Sequence, residues 1–319
     1  MATKKKSKSP APKPTAARPA AKKPAPAKSK PVEAKPRAAS PRKAAPPAPS
    51  ASKPASKTSD INQPPVINKP NRPAMPALMF YQKPTTLNRE AHRQLKVRGV
   101  PSLAYAAKTN SVPLTGNEFA AAARQLPILF VPDANKNPSP IALLGLRQDE
   151  NLFVEANGTW SGSYIPAFIR RYPFVLIDRG TPGDFMVGID EAYAGFNTDE
   201  GEPMFADDGT DGPALKRAIE FLNAYQLEAK KTQDFLAQIQ RLDLLIPRVV
   251  NVTQKDGVKF SLNGFSVVDE ARLGKLDDKE LGNLMRGGYM GWIYMHLLSI
   301  HNIADLSTRL DPRVAKKSA

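Results

Sequence analysis

The positive charge of this 319-residue chain is confined to its first quarter. Residues 1–80 carry 18 Lys and Arg side chains, 18 prolines and only two acids, Glu33 and Asp60. The rest of the chain holds 28 basic and 28 acidic residues, so the whole formal net charge of +16 belongs to the first segment. Such a segment has too little apolar surface to offset the entropy lost on folding. The sequence therefore predicts a disordered basic tail over residues 1–79 and one folded domain over residues 80–319.

The predicted tail has the composition of an electrostatic tether. Its lysines can contact phosphates of nucleic acid, or an anionic membrane surface, without reading a base sequence. No aromatic residue precedes Phe80, so the tail offers no platform on which bases could stack. We expect weak and nonspecific polyanion contact through residues 1–79, with a merely solubilising extension as the alternative. The lysines assigned to this contact are Lys4, Lys5, Lys6, Lys22 and Lys23.

Composition excludes several classes of protein. The absence of Cys rules out disulfides, thiolate metal sites and a cysteine nucleophile. A secretory signal needs an apolar run after its basic start, but Ser, Pro and Lys follow Lys6 here. The longest apolar stretch, residues 289–300, is shorter than the roughly 20 residues of a membrane span. We expect a cytoplasmic protein, or one peripheral to the inner membrane.

Local patterns in the domain predict both strands and helices. Thr115 and Glu118 have the spacing of a capping box, which predicts a short helix over residues 119–126. Apolar positions recur at helical spacing over residues 213–242, and Asp211-Gly212-Pro213 provides the predicted N-cap with Pro213 in the first turn. A hairpin is predicted around Asp256-Gly257, and helices over residues 277–300 and 303–309. Further strands are predicted at 128–131, 141–146, 152–155, 174–177, 185–189 and 265–268.

The order of these elements lacks regular alternation of strands with helices. The pattern favours an α+β fold with a largely antiparallel sheet, one long amphipathic helix and C-terminal helices. Between the predicted strands and the long helix, residues 198–212 form an acidic segment that contains six Asp or Glu residues. We interpret this acidic segment as a solvated loop, onto which the basic tail could fold.

Six polar residues next to apolar runs are candidates for ligand or partner binding. They lie in separate parts of the sequence and could converge only in the folded chain: Arg170, Arg171, Tyr172, Asp190, Glu191 and His296. A core histidine is the alternative interpretation of His296, because the residues around it are apolar. It lies five positions before His301, whereas two zinc ligands on one helix face lie four positions apart. No hydrolase elbow or phosphate loop occurs, so we predict neither catalytic residues nor a cofactor.

Blocks of sequence along residues 80–310 carry a family resemblance. They are residues 87–92, 113–114 with 118–119, 141–146, 150–153, 164–174, 189–191, 200–205, 264–270 and 294–299. In their order and spacing the chain resembles the SapC family of bacterial proteins, whose name is linked to transport of surface-layer (S-layer) proteins. The resemblance implies a role linked to S-layer protein transport. It supplies no catalytic motif that can be assigned to residues here.

Three functions from different classes follow as hypotheses. The leading one is a soluble, non-enzymatic accessory or binding protein of SapC type with a partner in the cell envelope or in secretion. The second is an enzyme or small-ligand protein whose pocket has no recognisable motif. The third is a polyanion binder that acts through the tail. The oligomeric state stays open at this stage.

Overall fold

A computed structural model describes residues 78–181, 184–253, 257 and 259–317. Residues 1–77, and with them Lys4, Lys5, Lys6, Lys22 and Lys23, lie outside the described residues. The disordered basic tail and its contacts therefore stay predictions. The described chain mixes antiparallel sheets with helices, which confirms the predicted α+β class.

The strands are short except for the last two. They are β1 Pro84–Thr86, β2 Lys96–Val97, β3 Ser111–Pro113, β4 Ile128–Pro132, β5 Pro138–Leu143, β6 Phe174–Asp178, β7 Phe185–Asp190, β8 Phe196–Asn197, β9 Glu202–Pro203, β10 Leu245–Thr253 and β11 Lys259–Val268. The helices are α1 Phe119–Ala122, α2 Ala167–Arg170, α3 Pro213–Arg241, α4 Glu270–Leu273, α5 Asp278–Arg286, α6 Tyr289–Ser299 and α7 Asn302–Lys317. Two 3-10 turns, Ala104–Ala106 and Gly116–Glu118, precede α1.

These strands form three antiparallel sheets. The largest has five strands in the order β10-β11-β4-β5-β3. A second sheet has the order β1-β7-β6, and its register pairs Thr85 with Ile189 and Val175 with Gly188. In the third, β2 lies between β8 and β9, which places the acidic segment beside residues 96–97.

The main core lies on the five-stranded sheet and is rich in aromatic rings. Phe235 of α3 is fully buried and packs against four other rings. Its ring centroid lies 5.3 Å from that of Trp292 and 5.5 Å from that of Tyr289, both on α6. Phe119 and Phe130 lie 6.3 Å away. Helix α3 is thus fixed to both α6 and the sheet by one side chain.

The long helix forms almost where its periodicity predicts. Pro213 occupies the first turn of α3, where its missing N–H has no helical partner to lose. Leu215, Leu222 and Ile239 are buried on one face. The N-cap is Gly212, within the predicted Asp211-Gly212-Pro213, and the Asp211 carboxylate pairs with Arg89.

The structure corrects other boundaries. The helix predicted over residues 277–300 is two helices, because Gly288 has a positive φ of 75° and starts α6 as its N-cap. Residues 265–268 continue β11 rather than forming a strand of their own. The strand predicted at 152–155 is reduced to one bridge, between Val154 and Trp160. The capping box at Thr115 and Glu118 is confirmed.

Candidate functional site

Asp190, at the end of β7, is a buried carboxylate that receives four hydrogen bonds. Its Oδ1 accepts from the backbone N–H of Lys83 at 2.8 Å and of Ala192 at 3.2 Å. Its Oδ2 accepts from the N–H of Gln82 at 2.9 Å and from the hydroxyl of Tyr172 at 3.0 Å. The side chain is fully excluded from solvent. Asp190 therefore holds residues 82–83 against β7 and leaves little acceptor capacity for a ligand.

The ring of Tyr172 is the centre of a tyrosine cluster. It stacks on Tyr105 with ring centroids 4.2 Å apart and an interplanar angle of 28°. Tyr81 and Tyr193 meet it edge-on, at 5.4 Å and 5.6 Å. Such edge and stacked pairs each contribute about 0.5–1.5 kcal/mol beyond the burial of area. The four rings join residues that are distant in sequence.

The hydroxyls of this cluster act as hydrogen-bond donors. Tyr81 donates to the carbonyl of Phe174 at 2.6 Å, and Tyr105 to that of Ile169 at 3.0 Å. Burial raises the pKa of Tyr81, Tyr105 and Tyr172 above the usual value, because it disfavours the charged phenolate. The hydroxyls therefore stay protonated across the physiological range and serve as structural donors.

Arg171 places a charged group inside this aromatic region. Its guanidinium lies 4.0 Å above the centroid of Phe168 and 5.4 Å from that of Tyr225. Burial lowers the pKa of Arg171, and the coulombic effect of Tyr225 and Tyr81 opposes that shift. Burial in turn raises the pKa of Tyr225 to about 12. The cation is stabilised by ring faces, as cation–π pairs are when they are removed from water.

Glu118 is a second buried carboxylate. It bonds to the start of residues 164–174, the stretch that also contains Tyr172. Its Oε2 accepts from the N–H and the hydroxyl of Thr115, at 2.9 Å and 2.7 Å. Its Oε1 accepts from the hydroxyl of Tyr164 and from the N–H of Ala167, both at 2.7 Å. Residues 164–174 are thus held by Glu118 at the start and by Asp190 near the end. We call residues 164–174 the clamped segment.

Arg170 and Glu191 lie away from the tyrosine cluster. Arg170 is exposed; its Nε donates to the carbonyl of Ile165 at 2.9 Å, and its guanidinium lies over the ring of Phe221. Glu191 forms an ion pair with Lys83 at 2.6 Å and contacts His92 at 3.5 Å. The hydrogen bond from Lys83 is the largest cause that lowers the pKa of Glu191. Both residues belong to the protein surface.

His296 is a core residue of α6. Its Nε2 accepts from the N–H of Val268 at 3.1 Å, so its Nδ1 carries the proton and donates to the carbonyl of Ile128 at 2.8 Å. Ser299, one turn on, accepts from the N–H of Ile128 at 2.9 Å. Burial lowers the pKa of His296 to about 4. The imidazole therefore joins β4, β11 and α6 in its neutral form.

The buried imidazole predicts a loss of stability in acid. The unfolded chain binds a proton near pH 6.5, whereas folded His296 does so only near pH 4. The contribution of neutral His296 to the free energy of unfolding is therefore present above pH 6.5, and it is lost as the pH falls from 6.5 towards 4. Linkage gives a loss of about 2 kcal/mol between pH 7 and pH 5. Urea unfolding at a series of pH values measures it.

A histidine pair provides the control for this pH dependence. His296→Gln is expected to be less stable at pH 7 and to lose the extra slope between pH 5 and pH 7. His301→Gln removes an exposed histidine five residues on and should keep the slope of the wild type. Equal slopes in all three proteins would show that His296 does not control stability in this range.

The acidic segment is held by basic side chains of the domain itself. Arg89 pairs with Asp211 at 2.7 Å, and Arg93 donates to the carbonyl of Asp207 at 2.9 Å. Lys96 donates to the carbonyl of Asp199 at 3.1 Å. A cleft of about 420 Å³ lies beside these contacts. Arg93 and Lys96 both line this cleft, and each donates one hydrogen bond to a carbonyl of the acidic segment.

Three of the six predicted site residues are thus brought together, and three are not. Arg171, Tyr172 and Asp190 share the tyrosine cluster, whereas Arg170, Glu191 and His296 lie elsewhere. Sequence reasoning placed Glu118 only in a capping box and gave Tyr81 and Tyr105 no role. Nothing local in the sequence signals their long-range hydrogen bonds, which span 46 to 93 residues along the chain. A role of the six residues in ligand binding stays a prediction.

The clamped segment lies inside the region that a family model recognises. The sequence matches the model described as SapC over residues 87–306. The chain belongs to the SapC family. No curated protein and no solved structure matches this SapC-family chain. Within the described part of the SapC domain, no helix is long and apolar enough to cross a membrane.

Proposed function

We propose that this SapC-family chain is a non-enzymatic accessory or binding protein linked to S-layer protein transport or to the cell envelope. One observation carries the proposal: three of its buried ionisable side chains are bonded to its own backbone. Asp190 accepts from three N–H groups, Glu118 from two, and His296 bridges two strands. A general acid or base needs a polar atom that can reach a substrate. In these three side chains the polar atoms are already bonded to the protein's own backbone.

The positions of the predicted site residues favour the same proposal over an enzyme. An enzyme would gather its polar groups around one concave pocket. Here Arg171, Tyr172 and Asp190 lie together but contact rings or the protein's own backbone. Glu191 pairs with Lys83 on the surface, and His296 is buried elsewhere. The partner we propose is a protein of the envelope or of the secretion machinery, met from the cytoplasm or at the inner membrane.

Deletion of the gene in a host with an S-layer tests the proposal. We expect less S-layer protein on the surface and more inside the cell, with recovery when the full chain is supplied. Unchanged surface protein after deletion would contradict the transport link.

A Tyr172→Phe chain extends this test to the enzyme hypothesis. The variant keeps the ring and loses the hydroxyl that donates a hydrogen bond to Asp190. We expect it to restore export at a temperature where it is folded, because the role of the hydroxyl is structural. A folded Tyr172→Phe protein that fails to restore export would favour the enzyme hypothesis instead.

Contact of the tail with a polyanion is a second candidate function. The observation that favours it is the location of the whole +16 charge in residues 1–80. Affinity for duplex DNA or anionic vesicles would then fall steeply with salt, because neutralised phosphates release counterions. Supplying a chain that lacks residues 1–77 in the complementation experiment separates this candidate from the role of the domain.

A further inference from the structure

The cleft of about 420 Å³ beside β2 is lined by two cations and one carboxylate. Arg93 and Lys96 supply the positive charges, and Asp207 is the only acid of the acidic segment that lines the cleft. Two positive charges less one negative charge leave a formal charge of +1 on the lining. Small-molecule sites commonly enclose about 300–1,000 Å³, so the cleft has the size of such a site. None of the six residues predicted to bind a ligand lines it.

The two cations of the cleft differ from their basic neighbours in what they bind. Three neighbouring side chains each form an ion pair with a carboxylate of the acidic segment: Arg89 with Asp211, Arg98 with Glu200 and Arg217 with Glu202. Arg93 and Lys96 instead donate to uncharged carbonyls. Within the residues that the structure describes, neither forms an ion pair or a second side-chain hydrogen bond. Their charges are thus uncompensated, and each keeps further N–H donors.

The walls of the cleft are held in place by the small sheet. Lys96 of β2 lies opposite Asn197 of β8 and opposite Pro203 of β9. Pro203 and Phe205 supply apolar surface to the lining, and Phe205 is only 5% exposed because it packs in a small core of its own. The cleft therefore combines fixed apolar walls with two unpaired cations, as sites for small organic anions do.

We propose that this cleft binds a carboxylate group, carried either by a small molecule or by the end of a peptide. The guanidinium of Arg93 is a planar fork that matches a carboxylate, and the ammonium of Lys96 adds a second positive charge. A lining charge of +1 favours a singly charged carboxylate over a doubly charged phosphate, which Asp207 would repel more strongly. The apolar body of the ligand would contact Pro203 and Phe205. This inference is independent of the S-layer proposal.

Titration of the full chain with hexanoate and with hexanamide tests the site. The two probes have the same apolar body and differ in the charged group. We expect hexanoate to bind at least about tenfold more tightly, because its hydrogen bonds are made to charged donors. It should also shift the NMR signal of the Arg93 Nε–H. An acetylated dipeptide with a free carboxyl terminus, compared with its amide, distinguishes the two sources: the dipeptide acid binds more tightly than hexanoate only if the cleft takes a peptide end.

Charge variants locate the binding in the cleft. Arg93→Gln and Lys96→Gln should each weaken hexanoate binding about tenfold. Asp207→Asn should strengthen it, because the substitution removes the one negative charge from the lining, and a partly unfolded protein would not gain affinity. Arg98→Gln is the matched control: Arg98 pairs with Glu200 and does not line the cleft, so its loss should leave binding unchanged.

Three results would each overturn the proposal. They are hexanoate that does not bind or binds no better than hexanamide, binding that folded Arg93→Gln and Lys96→Gln proteins retain in full, and inorganic phosphate that binds the wild type more tightly than hexanoate does. Circular dichroism of each variant shows that it is folded at the temperature of the titration.

Discussion

Replacing Asp190 by alanine is expected to lower the free energy of unfolding by about 4 kcal/mol. The change leaves three backbone N–H groups and the hydroxyl of Tyr172 without their acceptor, a carboxylate that is itself closed to solvent. Each buried donor left unpaired costs about 1–3 kcal/mol, and part of that cost is relieved by relaxation or by entering water. Urea unfolding at neutral pH, followed by circular dichroism, measures the loss.

Two variants show whether the loss comes from the carboxylate itself. Asp190→Asn keeps the shape of the side chain but turns one acceptor into a donor facing donors, so most of the loss should remain. Asp207→Ala removes an exposed carboxylate, and its effect should stay within about 0.5 kcal/mol. An Asp190→Ala protein as stable as Asp207→Ala would mean that the four hydrogen bonds contribute little to folding.

Gly116→Ala is expected to cost about 3 kcal/mol, although it adds a single methyl group. Gly116 is buried in the 3-10 turn before α1, and its N–H donates to the hydroxyl of Thr232 on α3 at 2.8 Å. An added Cβ would overlap the ring atoms Cζ3, Cε3 and Cη2 of Trp292. The indole is held between Phe119 and Phe235. Neither the indole nor the turn that contains Gly116 can therefore shift without disturbing the core.

A double-mutant cycle with Trp292→Leu isolates this clash. Trp292→Leu alone creates a cavity and should be destabilising, but adding Gly116→Ala to it should cost far less than adding Gly116→Ala to the wild type. Gly291→Ala is the control for an added methyl group in a helix, because its Cβ meets nothing. If the losses of stability from Gly116→Ala and Trp292→Leu in urea unfolding are strictly additive, the indole is not the cause of the loss from Gly116→Ala.

Elements that depend on local sequence were predictable, and contacts between distant residues were not. The capping box at Thr115 and the periodicity of α3 involve residues within one helix, so the sequence contains the whole signal. Asp190 binds the N–H groups of residues 82 and 83, more than 100 residues away. Only the pairing of β1 with β7 brings those groups to the carboxylate, and no local pattern encodes that register.

Other differences between the predicted and the observed elements also have specific causes. The strands β2, β8 and β9 have two residues each, too few for an alternating pattern to be visible. The break between α5 and α6 follows from the positive φ of Gly288, whereas apolar spacing alone predicted continuity. Among the site candidates, Tyr172 and Asp190 were selected separately, and their hydrogen bond emerges only from the packing of the clamped segment on β7.

The clamped segment makes parts of the chain depend on one another for their local stability. Glu118 belongs to the turn before α1, and Asp190 to β7; both bond to the stretch that runs from Tyr164 to Tyr172. A fluctuation that lifts this stretch would expose two carboxylates and several amides together, so it costs more than opening any one contact. These elements should therefore open as one cooperative unit, in which slow exchange of the Ala167 amide with solvent is linked to slow exchange of the Gln82 amide.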